Sequence, residues 1–379
     1  MCSSEEGMED LEQTRLRQCG EFSTITGSDT AVAQCYLAEN DWDMERALNS
    51  FFEADMESVF DVEDRQEERA AGSKRKETPR TENTTATTDE DAPVIKKRMN
   101  SSPQDCIDLT AEEPACSSST SSKENADDGD SKLSLISWNV DGLDTLGLAE
   151  RARGLCSYLA LYTPDVVFLQ ELIPQYAQYV KKRAVSYLFI EGNEEGYFTG
   201  LMLKKSRVKL QKSEIISFPT TQMMRNLLCA QVTFMGKEVC LMTSHFESCK
   251  DQATERMKQL GMVLQKIKEA PDNMTVIFGG DTNLRDSEVA KVGGLPAGVI
   301  DVWEDLGKQE HCRYTWDTKM NSNKNVSYVS RCRFDRIYVR SSKTEPRVSP
   351  EHMALVGMEK LDCGRYTSDH WGIYCTFTT

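Results

Sequence analysis

What this 379-residue chain lacks narrows its class before any motif is read. Its 13 cysteines are odd in number and none falls in a Cys-x-x-Cys pair, so neither a disulfide framework nor a zinc site is indicated. Cys156, Cys229 and Cys240 lie inside apolar runs, as buried free thiols do. No apolar run approaches the ~20 residues that span a bilayer. The stretch from Met1 to Asp10 is acidic and lacks the apolar segment of a secretory leader. The expectation is a soluble intracellular protein in a reducing compartment. Aromatic residues are missing altogether between Asp61 and Asp130. That tract is rich in Ser, Thr, Asp and Glu, and it cannot bury enough apolar surface to offset the entropy of ordering.

Basic charge is also scarce overall, with a formal net of −16, but the deficit is local. Residues 1–130 carry 32 acidic and 13 basic side chains, which leaves 29 acidic and 32 basic over residues 131–379. The larger part of the chain is therefore free to meet a polyanion. Its small positive balance suits a site for a few phosphates better than a surface that coats a duplex.

Composition divides the chain into a helical unit at 16–55, a disordered acidic linker at 56–131 and a catalytic region at 132–379. In the first, Ala31, Val32, Cys35, Tyr36 and Leu37 recur at helical spacing. Asn40-Asp41 breaks that helix, and Trp42, Met44, Ala47, Leu48, Phe51 and Phe52 form another amphipathic stretch. In the linker, Lys74-Arg75-Lys76 and Lys96-Lys97-Arg98 have the form of nuclear-import signals, so a nuclear location with some cytoplasmic protein is expected. Ile107-Asp-Leu-Thr110, followed by Glu112 and Glu113, resembles a SUMO-interacting segment that adds a strand to its partner's sheet.

From Lys132 onward short β-type runs alternate with turns: Leu133–Val140, Asp165–Gln170, Tyr187–Ile190, Tyr197–Leu203, Leu227–Phe234, Val239–Ser244, Thr275–Gly279, Arg333–Tyr338 and Trp371–Phe377. Helical patterns fall at Leu148–Leu161 and Gln252–Lys268. Many strands with few helices predict an α+β sandwich, sheets face to face with helices outside.

The chemistry collects where these strands end. Asn139 and Asp141 follow the first run, Glu171 closes the second, and His245 and Glu247 follow Ser244. Gly279-Gly280 precede Asp281 and Asn283, and Ser368-Asp369-His370 opens the last run. Residues two apart share a side of a strand, so each end offers polar groups in one direction. Carboxylates hold a hard cation, amides and imidazoles hold phosphate oxygens, and an acid orients water. Magnesium needs only one or two protein carboxylates, so Glu171 and Asp141 suffice. No soft-ligand cluster competes for a transition metal.

The ordered blocks Trp138-Asn139-x-Asp141-Gly142, Leu169-Gln170-Glu171, Ser244-His245, Gly280-Asp281-x-Asn283, Asp335-Arg336 and Ser368-Asp369-His370 resemble the endonuclease/exonuclease/phosphatase superfamily over about residues 132–379. Asp281-Thr-Asn-Leu-Arg-Asp286, Arg225-Asn-Leu-Leu228, Tyr314-Thr-Trp316-Asp317 and Leu361-Asp-Cys-Gly364 narrow the resemblance to its DNA-repair branch. The resemblance implies a four-layer α/β/β/α sandwich preceded by a small three-helix domain. It implies direct hydrolysis of the 5′-phosphotyrosyl bond between DNA and a trapped topoisomerase, with Mg²⁺ (or Mn²⁺) as cofactor. By matching position, Glu171 and Asp141 serve the metal and Asp281 handles the attacking water. Asn139, Asn283, His245 and His370 contact the phosphate, and Asp369 orients His370. Ser248, Lys250 and Arg285 hold the DNA 5′ end, and Tyr197, Arg225, Trp316 and Phe334 line the substrate groove. Lys250 stands where close relatives are expected to carry Arg, a point charge in place of a bidentate fork. The helical unit resembles a ubiquitin-associated domain, which implies ubiquitin as a partner.

Two rivals remain at this level. One is another activity of the same superfamily, such as an abasic-site endonuclease, a deadenylase, a sphingomyelinase or an inositol phosphatase. Arg333-Phe-Asp-Arg336 lacks the Cys-Pro signature of the inositol 5-phosphatases. The other is a ubiquitin-binding signalling adaptor with a vestigial catalytic fold, against which the intact polar blocks argue.

Overall fold

The computed structural model describes residues 3–28, 30–52, 131–344 and 347–379. Both basic clusters, the Ile107–Thr110 segment and the expected linker up to residue 130 lie outside the described residues. The helices that concern the argument are α1 (Ser3–Thr26), α2 (Thr30–Glu39), α3 (Met44–Phe51), α4 (Leu148–Tyr162), α5 (Pro174–Arg183), α6 (Ala253–Glu269) and α7 (Asp286–Lys291). The strands are β1 (Lys132–Asn139), β2 (Val166–Leu172), β3 (Tyr187–Glu191), β4 (Phe198–Lys204), β5 (Val208–Ser217), β6 (Asn226–Phe234) and β7 (Lys237–Ser244). They continue as β8 (Thr275–Asp281), β9 (Val299–Asp301), β10 (Trp316–Asp317), β11 (Arg331–Cys332), β12 (Asp335–Arg340), β13 (Ser349–Val356) and β14 (Gly372–Thr378).

Two six-stranded sheets carry the catalytic region, ordered β13-β14-β1-β2-β4-β3 and β5-β6-β7-β8-β12-β9. Each has one parallel pair, β1–β2 and β7–β8, and the remaining pairs are antiparallel. A parallel pair needs a crossover, and α4 and α6 supply the two. Period-two alternation sorts the side chains. Leu135, Phe168, Leu241, Ile277 and Ile373 face the space between the sheets. Ile136, Trp138, Val167 and Leu169 instead meet Leu155 and Tyr176 of α4 and α5. Met242, Val276 and Phe278 meet Val263 and Leu264 of α6. The four expected layers follow: helices, sheet, sheet, helices. Central strands buried on both faces explain the continuous apolar runs, and each such side chain contributes about 1.5–3 kcal/mol of burial.

Among the elements that were not anticipated, β5, β13 and α5 are the longest. Most of β5 is exposed, with Lys209, Lys212 and Glu214 along it, and β13 is the other sheet's edge. Edge strands carry charge to discourage pairing, which erases the apolar signal. Pro174 starts α5 at its first position, where a missing N–H costs nothing.

In the N-terminal unit Phe22, Ala33, Leu37, Ala47 and Leu48 form the core. Helix α1 begins well before Leu16. Asp43 caps α3 by accepting from the Arg46 N–H at 2.9 Å.

Candidate active site

The ends of β1, β2, β7 and β8 and the starts of β12 and β14 meet on one edge of the stacked sheets. Parallel pairing makes β1 and β2, and β7 and β8, finish side by side. Antiparallel pairing sets Asp335 directly opposite Asp281. Buried Trp138 donates its indole N–H to the His370 carbonyl at 2.9 Å, and Ser368 Oγ donates to the Asn139 carbonyl at 2.6 Å, fixing the start of β14 beside the end of β1.

Asp281 is the centre. Its carboxylate is 2 % exposed and accepts from Asn139 Nδ2 and from the Asn283 N–H, both at 3.0 Å. His245 Nε2 lies 3.3 Å and His370 Nε2 3.7 Å from the same Oδ2. Glu171 Oε1 is 3.8 Å from His245 Nε2, so both acids and both imidazoles border one space. Asp141, Glu171 and Asn283 hold left-handed backbone, a strain that the surrounding structure sustains. A Cβ on Gly142 would stand 2.2 Å from the Glu171 carbonyl oxygen, and one on Gly280 (φ +151) would stand 2.1 Å from that of Ser244. Only glycine permits these approaches.

The two imidazoles are held in opposite states. Arg225 Nη1 donates to His245 Nδ1 at 2.9 Å. An arginine only donates, so Nδ1 is the acceptor and the ring proton sits on Nε2, facing the acids. Burial and the Arg225 charge drive its pKa well below the ordinary histidine value. His370 Nδ1 instead hydrogen-bonds Asp335 Oδ2 at 2.8 Å. Burial opposes its charge, but Asp335 and Asp281 together hold its pKa well above the ordinary histidine value.

One expected role is corrected by this geometry. Asp335, not Asp369, orients His370; Asp369 accepts from Trp316 Nε1 at 3.3 Å. Asp335 could be read only as part of a motif, because its partner is far along the chain. Asp141 is engaged by the chain itself: Lys324 Nζ sits 2.8 Å from its Oδ2 and buried Arg151 is 3.9 Å away, while burial and then Asp369 raise its pKa to about 6. Glu171, by contrast, has no hydrogen-bond donor among the described residues. Burial first, and then the charges of Asp369, Asp141 and Asp281, push its pKa up to about 7. Asp369 is thus the stronger electrostatic neighbour of Glu171.

This oxygen-rich, mutually repelling set fits a hard divalent cation, with Glu171 as the open ligand and Asp369 close by. Asp281, Asp335 and His370 also bring donor atoms within 4.8 Å of one another. His370 Nδ1 and Asp335 Oδ2 hydrogen-bond each other, however, which leaves only Nε2 and Oδ1 of these two residues for an ion.

The expected DNA contacts divide into rim and floor. Lys250 is exposed, and Ser248, Arg285, Tyr197 and Trp316 are half-buried at the rim. Arg225 and Phe334 are buried. Arg225 lies 4.7 Å from the Tyr197 ring and donates to Ser248 Oγ at 3.0 Å, so it braces His245 rather than offering an open groove contact. Phe334 forms a floor beneath Arg285 (5.1 Å) and Trp316 (5.8 Å between ring centroids).

A two-sheet sandwich whose strand ends unite acids, amides and imidazoles defines a class, and comparison with known proteins gives the same one. Residues 136–370 match the Endonuclease/Exonuclease/phosphatase family, and residues 17–58 match a UBA-like domain. The chain belongs to the Endonuclease/Exonuclease/phosphatase family. Among its relatives, tyrosyl-DNA phosphodiesterase 2 of Danio rerio is 70% identical over 98% of this chain and 100% of its own. The Homo sapiens protein of the same name is 51% identical over 98% and 95%. A crystal structure of D. rerio TDP2 complexed with single strand DNA product covers 66% of this chain and 100% of its own, at 80% identity and TM-score 0.66.

Proposed function

We propose that this protein hydrolyses the 5′-phosphotyrosyl bond between DNA and a trapped topoisomerase, leaving a 5′-phosphate. The observation that carries the reading is the shared space around Asp281 Oδ2, bordered by His245, His370, Asn139 and Glu171. The activity named in the relatives supports the same choice of substrate.

Each group has work in that chemistry. Asp281 is buried, and its pKa rises to about 6, first through burial and then through Asp335. It is ionised at neutral pH yet more basic than an exposed aspartate, which suits it to accept a proton from water. His370, whose pKa Asp335 and Asp281 raise, is suited to donate to a phosphoryl oxygen rather than to accept the proton. His245 contributes its Nε2–H, and Asn139 and Asn283 contribute amide N–H groups, all held in place by the fold. A tyrosine leaving group, with a pKa of about 10, needs little protonation. A divalent cation at Glu171, Mg²⁺ or Mn²⁺, would neutralise phosphoryl charge. Around this centre Lys250, Ser248 and Arg285 suit the DNA 5′ end, with Trp316 and Tyr197 flanking it.

The UBA-like match supports ubiquitin as a partner of the N-terminal domain. The basic clusters support nuclear import, and Ile107–Thr110 supports a SUMO contact. The activity is tested with a 5′-tyrosyl oligonucleotide in ¹⁸O-water, with and without Mg²⁺. Tyrosine release and one solvent oxygen in the 5′-phosphate after a single turnover are expected. Turnover confined to abasic-site or inositol phosphate substrates would overturn the reading.

A further inference from the structure

Glu247 is fully buried and makes no ion pair among the described residues, yet it lies two residues beyond His245. Its carboxylate is wrapped by neutral donors. Oε1 accepts from the N–H groups of Gln222 (2.6 Å) and Met223 (3.0 Å), and Oε2 accepts from Thr221 Oγ1 (2.8 Å) and Gln259 Nε2 (3.0 Å). Three of these come from the loop between β5 and β6, and the fourth from α6. Such a cage holds the group ionised and below the usual glutamate range.

The loop so gathered ends on Arg225. Thr221 Oγ1, donating to Glu247, also accepts from the Arg225 N–H at 2.9 Å. Arg225 then reaches His245 Nδ1 at 2.9 Å and Ser248 Oγ at 3.0 Å. Met224, next to it, is 66 % exposed with left-handed backbone (φ 54), so Met224 itself adds neither apolar packing nor relaxed geometry beside Arg225. On the other side Arg256 donates to the backbone carbonyls of Glu247 (3.2 Å) and Ser248 (3.3 Å) and pairs with Glu288 at 2.7 Å. Glu247 therefore joins a braced loop after β7 to the 220–224 segment, whose start is held by buried Phe218 against Phe246 and by Thr220 on Glu255 (2.8 Å), and it supplies the acceptor for three donors at Thr221, Gln222 and Met223.

We infer that Glu247 is a positioning residue for the reaction, holding the 220–224 loop so that Arg225 meets His245 Nδ1 and fixes the ring proton on Nε2, toward the phosphate. The inference rests on the function proposed above for its link to rate, but not for its link to geometry. A carboxylate accepts from all four donors, whereas the amide of Gln must turn an NH₂ toward some of them. The path through Thr221 gives a second, smaller handle.

The test is Glu247→Gln and Thr221→Val, each read in the metal-free protein by the ¹⁵N shifts of the His245 ring, and then by kcat and KM on the 5′-tyrosyl oligonucleotide. The wild type should show a single tautomer with Nε2 protonated, and both variants a mixture. Misplacing a bracing group should lower kcat by roughly 10–100-fold with a lesser change in KM. In an Arg225→Ala background Glu247→Gln should cost little more, because its path is already cut. If Glu247→Gln does not fold, Thr221→Val decides. An unchanged His245 tautomer in the folded variants, or losses that simply add to that of Arg225→Ala, overturns the inference. A wild type inactive on the oligonucleotide would overturn the proposed function instead, leaving the tautomer measurement to judge the positioning.

Discussion

The two sheets are built alike and end differently. In each, a parallel pair (β1–β2 or β7–β8) is linked by a crossover helix and closes on an acid, Glu171 or Asp281. In each, a glycine allows close backbone approach at that end, Gly142 against Glu171 and Gly280 against Ser244. The surroundings then diverge. Asp281 is 2 % exposed and ringed by donors from both sheets, while Glu171 is 20 % exposed, with His245 3.8 Å away and three acids raising its pKa. One topology thus yields two carboxylates with different work. The caged one keeps a definite geometry toward water, and the uncaged one is left to seek a cation. Environment, not residue type, assigns the roles.

This contrast can be broken from either side. The largest effect is expected at the caged acid: Asp281→Asn should lower kcat by about 10³-fold or more while the fold persists, measured by single-turnover tyrosine release alongside thermal unfolding. Equal activity would remove Asp281 from the proton-accepting role. Next come the glycines. Gly142→Ala and Gly280→Ala should each cost about 3 kcal/mol in denaturant unfolding, because the new methyl meets a backbone carbonyl. A tolerated substitution at only one of them would limit the likeness of the two halves.

The correction at His370 gives a sharper pair. Asp335→Asn should lower kcat about 10²-fold by removing the charge that keeps His370 protonated. Asp369→Asn should leave the His370 pKa, followed by NMR, higher than Asp335→Asn does. The reverse order would restore Asp369 as the orienting acid.

The smallest effect is on stability at the uncaged acid. The Glu171 pKa is raised from 4.5 to about 7, so the folded state binds the proton more tightly than the unfolded state. In chelator, stability should therefore fall as pH rises from about 4.5 through 7, on the order of 1–3 kcal/mol in total. Glu171→Gln should be the more stable protein above pH 7, and the advantage should vanish in acid. Added Mg²⁺ should raise the melting temperature of the wild type and not of that variant. A wild type with no such pH dependence would mean that Glu171 is not strained by its neighbours.

Much of the fold was legible because the central strands are apolar on both faces, as Val166 to Leu169 illustrate. The β5 and β13 edges were not, since half-exposed strands such as Lys209–Glu214 alternate weakly. Site residues were legible where a polar group interrupts an apolar run, as at Glu171 and Asp281. Asp335 escaped a role because its partner His370 lies 35 residues away, and Lys324 escaped because it meets Asp141 across 183. Glu247 was visible as a strand-end acid, but its donors on the 220–224 loop were not.

By itself the sequence determined which strands are buried, where they stop and which acids, amides and imidazoles stand at their ends, because alternation and interruption are local properties. Only the tertiary structure decided which acid answers which imidazole, which carboxylate a lysine meets, and which histidine is shifted up and which down. Those outcomes depend on burial and on charges a few ångströms apart in space. Residues distant along the chain become neighbours only when the two sheets close on one another.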